Sequence, residues 1–241
     1  DMIKIAIKPL LKTSSSLLLA ALVLTALDIS LGKMKPSIIA QETDLSEEKV
    51  VHLLQEPRHR TVHRAGSLFL LDVQVNPGDE SFQHIHDQAI LLTSISSGAG
   101  PSNGTVRAIT DYATTPLTHN VSNGGPGLLR IIALVNGGNG IAGEPTDRPS
   151  GMSSNPQIEN SWFRSHRIEL DPGEETLLQN HHNPTVIVQG TEGTVHVTRE
   201  DGITTELDMA GDWAWRDAES PFTIQNKGQT TVAVAINEGR E

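Results

Sequence analysis

The chain has no cysteine among its 241 residues, and only 3% of them are aromatic. The absence of thiols excludes disulfides, thiolate metal sites, iron–sulfur clusters and a cysteine nucleophile. Basic residues are also scarce: the first 40 residues hold five Lys and two acidic residues, so the remainder carries 13 basic and 27 acidic side chains. An acidic body without a basic stripe is a poor partner for phosphate backbones, which argues against nucleic acid as a partner.

An apolar segment near the N-terminus predicts that the chain is targeted to a membrane or anchored in one. Three lysines precede the uncharged run from Thr13 to Leu27, and a basic start before about 11–15 apolar residues is typical of a secretory signal. The alternative is an uncleaved anchor, because the run from Thr13 to Gly32 is long enough to span about 30 Å of hydrocarbon. We therefore predict that residues 1–40 form a hydrophobic helix, either a signal peptide or a transmembrane anchor. The acidic body would be periplasmic, anchored in the inner membrane or secreted after cleavage.

The rest of the chain has a β pattern. A short leading helix is predicted first, because Asp44-Leu-Ser-Glu47 resembles a capping box and Leu45, Val50, Leu53 and Leu54 follow with helical spacing. Short apolar runs separated by Gly, Pro, Asn and Asp then recur about every 8–12 residues, which is typical of a sandwich or barrel. Residues 137–156 hold five Gly and three Pro, a composition that predicts a linker.

The segments on either side of this linker are similar to each other. Val73–Phe82 aligns with Ile168–Leu177 around a shared Pro-Gly turn, and His119–Asn123 aligns with Phe222–Asn226. Two matched blocks in the same order predict a duplicated domain; the alternative is two unrelated β-domains that share a turn. The predicted division is a first domain with its leading helix at 41–136, the linker at 137–156 and a second domain at 157–241.

Three histidines of the first domain are candidates for a metal site. His84 and His86 are separated by one residue on a predicted strand, so both imidazoles face the same side. His119 lies near the start of another strand. Three imidazoles inside a small barrel suit Fe, Mn, Ni, Cu or Zn and leave positions open for water or substrate. We predict one transition-metal ion here; the alternative is that the three rings are hydrogen-bonded barrel residues.

These motifs resemble those of the cupin superfamily. Gly78-x5-His84-x-His86 matches the opening of the first cupin motif, and His119-x3-Asn123 matches the close of the second. The duplicated chain is therefore similar to a bicupin. The resemblance implies an all-β fold with two double-stranded β-helix (jelly-roll) barrels, preceded here by the N-terminal hydrophobic helix. By analogy with cupins that pair through their sheets, it also allows a homodimer.

The first domain departs from the cupin pattern in one ligand. The first motif usually supplies a glutamate three or four residues beyond its second histidine, where this chain has Ile90 and Leu91. Gln88 is the nearest polar side chain on the same strand face and would be a weak fourth ligand. The remaining three-His set resembles the ligand set of thiol dioxygenases.

The second domain departs further. Gln179 stands in the place of the first histidine, only His181 remains in register, and Phe222 replaces the histidine of the second motif. A phenyl ring inside the barrel fills the space that a metal and its water need, so no metal is expected in this half. Elsewhere, His59 and His63 have helical spacing, but Pro57 and the β-like residues around them favour a surface interpretation.

Three functions fit the sequence. The one we favour from sequence alone is a binding or accessory subunit on the periplasmic side of a membrane complex, held there by the N-terminal helix. Erosion of both metal motifs supports it. The second is a dioxygenase-like enzyme with a three-His metal in the first barrel, and the third is a sensor or carrier that binds a small ligand in an empty barrel. A bound metal ion that is lost when His84 is replaced would favour the enzyme.

Overall fold

The computed structural model describes residues 49–142 and 147–241. Nearly all regular structure in these ranges is β, as the sequence predicts. The strands are β1 Val50–His52, β2 His59–Ala65, β3 Leu68–Val75, β4 Gln83–His86, β5 Ala89–Ser97, β6 Pro101–Ile109, β7 Leu117–His119, β8 Leu129–Asn136, β9 Ile158–Glu159, β10 Phe163–Leu170, β11 Thr185–Gln189, β12 Val195–Arg199, β13 Thr204–Leu207, β14 Trp213–Arg216, β15 Phe222–Asn226 and β16 Val232–Gly239. Two 3-10 helices, Leu53–Gln55 and Asp111–Ala113, accompany them.

The predicted N-terminal hydrophobic helix lies outside the described residues. Within the ranges that the structure describes, no helix has the length and apolar character needed to cross a membrane.

The strands form two similar halves, each with one five-stranded and one three-stranded sheet. The first half, β1–β8, has the sheets β2-β3-β8-β5-β6 and β1-β4-β7. The second half, β9–β16, has the sheets β14-β11-β16-β10-β9 and β13-β12-β15. Strands β1 and β4 pair in parallel, and the other pairings among these strands are antiparallel.

The two five-stranded sheets pack against each other through their outer faces. Along β3, Leu71 and Val73 face the interior of the first half, whereas Leu68 and Leu70 alternate with them and face outward. The outward residues share one apolar core with Phe163 and other side chains of the second half. Burial of each large apolar side chain contributes about 1.5–3 kcal/mol. The two halves are therefore joined by a core rather than by their connecting segment alone.

A buried asparagine closes the first half in a turn that the duplication predicts. The amide nitrogen of Asn123 donates to the carbonyls of Val75 and Gly127, both at 2.8 Å. Its side-chain oxygen accepts from the backbone of Gly125, and its backbone carbonyl accepts from the backbone of Gly78. Gly78 has φ +78°, a conformation that favours glycine.

Asn226 makes the same set of bonds in the second half. Its amide nitrogen donates to the carbonyls of Leu170 and Thr230 at 2.9 and 2.8 Å, and its side-chain oxygen accepts from Gly228. Its backbone carbonyl accepts from the backbone of Gly173, which has φ +81°. Asn123 and Asn226, which the alignment of the two blocks pairs with each other, therefore occupy equivalent turns.

The short leading helix is wrong where the structure describes it. Val50–His52 is a strand whose Val51 is the register partner of His84, and Leu53–Gln55 is a single 3-10 turn. Leu53 is buried in the core of the first half. Two β-branched residues beside an available strand edge explain the preference for pairing over helix. Residues 44–48 lie outside the described ranges.

Candidate metal centre

The structure brings the three predicted histidines together inside the first half. His84 and His86 occupy the inner face of β4, and β7 pairs with β4 so that His119 is the register partner of His84. The Nε2 atoms of His84 and His86 are 3.1 Å apart, and those of His86 and His119 are 2.9 Å apart. One nitrogen from each of the three rings lies within 4.8 Å of the others.

This spacing fits nitrogen ligands of a common metal ion. Two nitrogens that bind one ion at about 2.0–2.1 Å, roughly at right angles, are about 3 Å apart. An all-imidazole donor set suits several first-row transition metals and does not select among them. His84, His86 and His119 would hold the ion.

The Nε2 atoms of the three rings contact one another, and the other hydrogen bonds of His84 leave its Nε2 available to a metal ion. The Nδ1–H of His84 donates to the carbonyl of Phe82 at 2.9 Å, so the lone pair of this ring is on Nε2. His86 Nδ1 is buried without a hydrogen-bond partner in the part of the chain that the structure describes. The polar interaction that orients the His86 ring therefore has to come through Nε2, which points at the other two histidines.

Burial keeps these rings neutral. Removal from water, together with the neighbouring histidines, lowers the pKa of His86 to about 2 and that of His119 to about 4. Burial also lowers the pKa of His84. Neutral imidazole is the form that binds metal, so no proton has to leave the site near neutral pH.

No family model matches the chain, and no curated protein sequence does. Solved structures do. AerE from Microcystis aeruginosa matches with a TM-score of 0.52 at 10% identity over 74% of this chain and 90% of that chain. A mutant of the salicylate 1,2-dioxygenase from Pseudoaminobacter salicylatoxidans matches with a TM-score of 0.50 at 13% identity over 72% of this chain and 71% of that chain. Both are cupin-fold proteins. The chain has the cupin fold. At these identities the likeness establishes the fold alone.

The position of the usual cupin glutamate is apolar in three dimensions as well as in sequence. Ile90 packs in the interior of the first half, and Leu91 faces the core between the two large sheets. Gln88, the predicted weak fourth ligand, has its Nε2 beside Gly137, and its Oε1 is buried without a hydrogen-bond partner among the described residues. Its role as a ligand stays a prediction.

Two further residues, His59 and Glu56, lie beside the three histidines and are not among the predicted site residues. The surface interpretation of His59 is wrong, because the residue is only 5% exposed and its ring centroid lies 4.4 Å from that of His84. Glu56 accepts a 2.6 Å hydrogen bond from His59 Nδ1. Burial alone would raise the pKa of Glu56, but hydrogen bonds from His59 and from backbone amides hold it below its usual value, so the carboxylate is charged near neutral pH. Burial along β2 does not alternate regularly, since Arg60 and Thr61 are both exposed, so the local pattern gave no signal for His59.

The second cupin half has different side chains at the equivalent positions. Gln179 and Phe222 form an antiparallel bridge, as His84 and His119 do in the first half. The fully buried Phe222 ring stacks on His181 with centroids 5.3 Å apart. His181 Nε2 lies 3.2 Å from Gln179 Oε1, and its Nδ1 lies 3.0 Å from a carboxylate oxygen of Glu238. Both ring nitrogens thus face protein groups; the expectation of no metal here stays a prediction.

Another buried histidine of the second half makes folding stability depend on pH. His166 is 2% exposed on the inner face of β10, and burial lowers its pKa to about 4, with Glu238, His181 and Arg164 as the charged or titratable groups that face it. Between pH 6.5 and 4 the unfolded chain binds a proton at this residue that the folded chain does not, so stability falls as pH falls. The free energy of unfolding, measured with urea, should fall between pH 7 and pH 4.5 in both wild type and His166→Leu. The fall should be about 2–3 kcal/mol smaller in His166→Leu than in wild type. Equal losses in the two proteins would contradict this.

Proposed function

We propose that this chain is a metal-dependent, dioxygenase-like enzyme whose first barrel binds one transition-metal ion through His84, His86 and His119. The observation that carries the proposal is the convergence of three neutral imidazoles, two of them buried and one half-buried, on one point. The cupin fold, which salicylate 1,2-dioxygenase also has, supports the reaction class. The proposal therefore takes the enzyme alternative of the sequence analysis in preference to the accessory subunit.

The chain's own residues would position substrate and control water. A bound metal ion supplies a Lewis acid and a template for dioxygen or a substrate oxygen. His84 and His86 are buried, whereas His119 is half-buried, so the approach to the three rings is on the His119 side. Tyr112 packs against His86 with ring centroids 4.9 Å apart. Burial raises the pKa of Tyr112, so its hydroxyl stays protonated and can donate a hydrogen bond.

The accessory-subunit hypothesis depends on residues 1–40, which lie outside the described ranges. Its membrane partner, the periplasmic location and a homodimer stay predictions of the sequence. A purely structural role for the three histidines is the competing interpretation. In it, a neutral ring donates its Nε2–H to the Nε2 of a neighbour, at 3.1 Å between His84 and His86 or 2.9 Å between His86 and His119, and metal analysis separates the two interpretations.

Metal analysis tests the binding site. Protein reconstituted with Fe²⁺ and freed of excess metal should retain about one ion per chain, by elemental analysis, because three protein nitrogens form one site. His84→Ala should retain only background metal with an unchanged circular dichroism spectrum. The matched control is His181→Gln, which changes a buried histidine of the other half and should retain the ion. Absence of metal from wild type, or full retention in His84→Ala, would refute the site.

Oxygen consumption tests the reaction class. The Fe²⁺-loaded protein should consume dioxygen when an oxidisable hydroxybenzoate is added, with salicylate as the first probe, and His84→Ala should not. Metal binding without consumption for any such substrate would favour the sensor or carrier alternative.

A further inference from the structure

We propose that Glu56, acting through His59 and the backbone of Phe82, is a positioning residue of the metal centre and supplies the negative charge that the absent cupin glutamate would otherwise bring. The inference rests on the metal-binding function proposed above. Glu56 and His59 are not in the three-His set; Glu56 precedes β2, and His59 is the first residue of β2.

Glu56 is a buried carboxylate with several donors. Its side chain is 0% exposed. One oxygen accepts from His59 Nδ1 and from the backbone amide of Arg58, both at 2.6 Å, and the other accepts from the backbone amide of Phe82 at 3.2 Å. Since these donors come from two separate segments, the carboxylate joins the start of β2 to the chain that enters β4.

The same contacts reach His84 from two sides. His59, held by Glu56, packs its ring against the ring of His84. Phe82, also held by Glu56, accepts the Nδ1–H of His84 at its carbonyl. A change at Glu56 therefore moves both groups that fix the orientation of this imidazole. Metal-binding histidines generally depend on such outer contacts for their orientation and basicity.

The negative charge of Glu56 is a second reason to assign it a role at the metal centre. Three neutral imidazoles offer no anion to a divalent cation, and burying an uncompensated cation is costly. Three carboxylate side chains are buried among the described residues: those of Glu56, Asp72 and Glu238. Asp72 lies on the outer face of β3, where it pairs with Arg60 and Arg130. Glu238 lies on β16 in the second half. Glu56 is the one that is linked to the three-His set, through His59 and Phe82 to His84. Arg58, a partly exposed neighbour, is 4.0 Å from Glu56 and also pairs with Asp79 at 3.6 Å.

The comparison between the two halves is consistent with this role. In the second half, the stretch that corresponds to Glu56–His59 lies within 151–155, which reads Gly-Met-Ser-Ser-Asn and contains neither a carboxylate nor a histidine. The buried Glu-His pair thus accompanies the three-His set and is absent from the half that has Gln179 and Phe222 instead.

Glu56→Gln tests the inference, because it retains the shape of the side chain and removes the charge. In a Co²⁺ titration followed by visible absorption, its affinity should be about 10–100-fold lower than that of wild type. His59→Phe, which retains a ring against His84 and loses the bond to Glu56, should also bind more weakly. The matched control is Glu238→Gln, which removes the other buried carboxylate that contacts a histidine and should bind Co²⁺ as wild type does. Thermal unfolding of the metal-free proteins monitors their folding.

The midpoint potential of the Fe-loaded proteins separates charge from packing. Loss of a nearby negative charge destabilises Fe³⁺ more than Fe²⁺, so the potential of Glu56→Gln should be higher than that of wild type. Wild-type affinity and potential in Glu56→Gln would overturn the inference and leave the metal site standing. Failure of wild type to bind Co²⁺ or Fe²⁺ would refute the proposed function itself. If Glu56→Gln does not fold, the affinity of His59→Phe decides, and a wild-type value there would overturn the inference.

Discussion

His119→Phe is expected to abolish metal binding and to leave the fold intact. The second half already has this arrangement, because Phe222 occupies the equivalent register position and stacks on His181 without disturbing the strands. In the first half the phenyl ring would remove one of three ligands and fill the space beside His84 and His86. The metal content after reconstitution should fall below about a tenth of the wild-type value, since two imidazoles are a poor site for these metals.

His119→Phe should lose metal binding without losing folding stability. A phenyl ring in place of the half-buried His119 imidazole removes a polar group that has to be partly desolvated, so the metal-free variant should be at least as stable as metal-free wild type in urea unfolding. His63→Phe serves as the control: this half-buried histidine packs against Trp215 rather than the other histidines, and its replacement should leave metal content unchanged. Retention of the metal by His119→Phe would show that His119 is not a ligand.

Arg164→Leu is expected to cost about 3–5 kcal/mol of folding free energy, the range found when one partner of a buried ion pair is removed. The Arg164 side chain is 0% exposed inside the second half and pairs with Glu238 at 3.1 Å, Glu159 at 2.9 Å and Asp147 at 2.9 Å. Leucine would leave Glu238, whose side chain is also fully buried, without its main positive neighbour. Urea unfolding at pH 7 measures the loss.

A second arginine on the same strand provides the control. Arg167 lies on the outer face of β10, where it donates to the backbone of Asn103 and pairs with the exposed Glu169. Arg167→Leu should cost less than about 1 kcal/mol, as expected for a pair with a solvent-exposed partner. Equal losses for the two variants would mean that burial of the Arg164 network contributes nothing special to stability.

The sequence predicts the features that depend on local pattern. Strand alternation places His84 and His86 on one face, and the repeated blocks place Asn123 and Asn226 in equivalent turns, because both depend on spacing within a few residues. The structure agrees on each point. The helix expected around Leu53 was wrong because the local pattern of residues 44–54 does not show that the edge of β4 is available for pairing.

Other features depend on residues far apart in the chain. Phe82 lies 26 residues from Glu56, and Glu238 lies 74 residues from Arg164. A local sequence pattern cannot predict a contact between residues so far apart. The sequence therefore offered no reason to place His59, which Glu56 holds, in the interior. The core between the large sheets was hidden for a related reason: continuous apolar strands indicate that both faces are covered but not what covers the second face.

The shared core between the halves gives each half a structural role that does not depend on its interior. Once Leu68, Leu70 and their neighbours depend on Phe163 and the facing sheet for shelter from water, neither copy can be discarded without exposing the other. The interior of each half is not constrained in this way. The strands that form the shared core direct only every second side chain towards it, and the side chains between them face the interior of their own half. The second half can therefore hold Gln179 and Phe222 at the positions equivalent to His84 and His119 while its outer face remains necessary for the shared core. The second half is then retained as the permanent cover of the first, independently of any chemistry of its own.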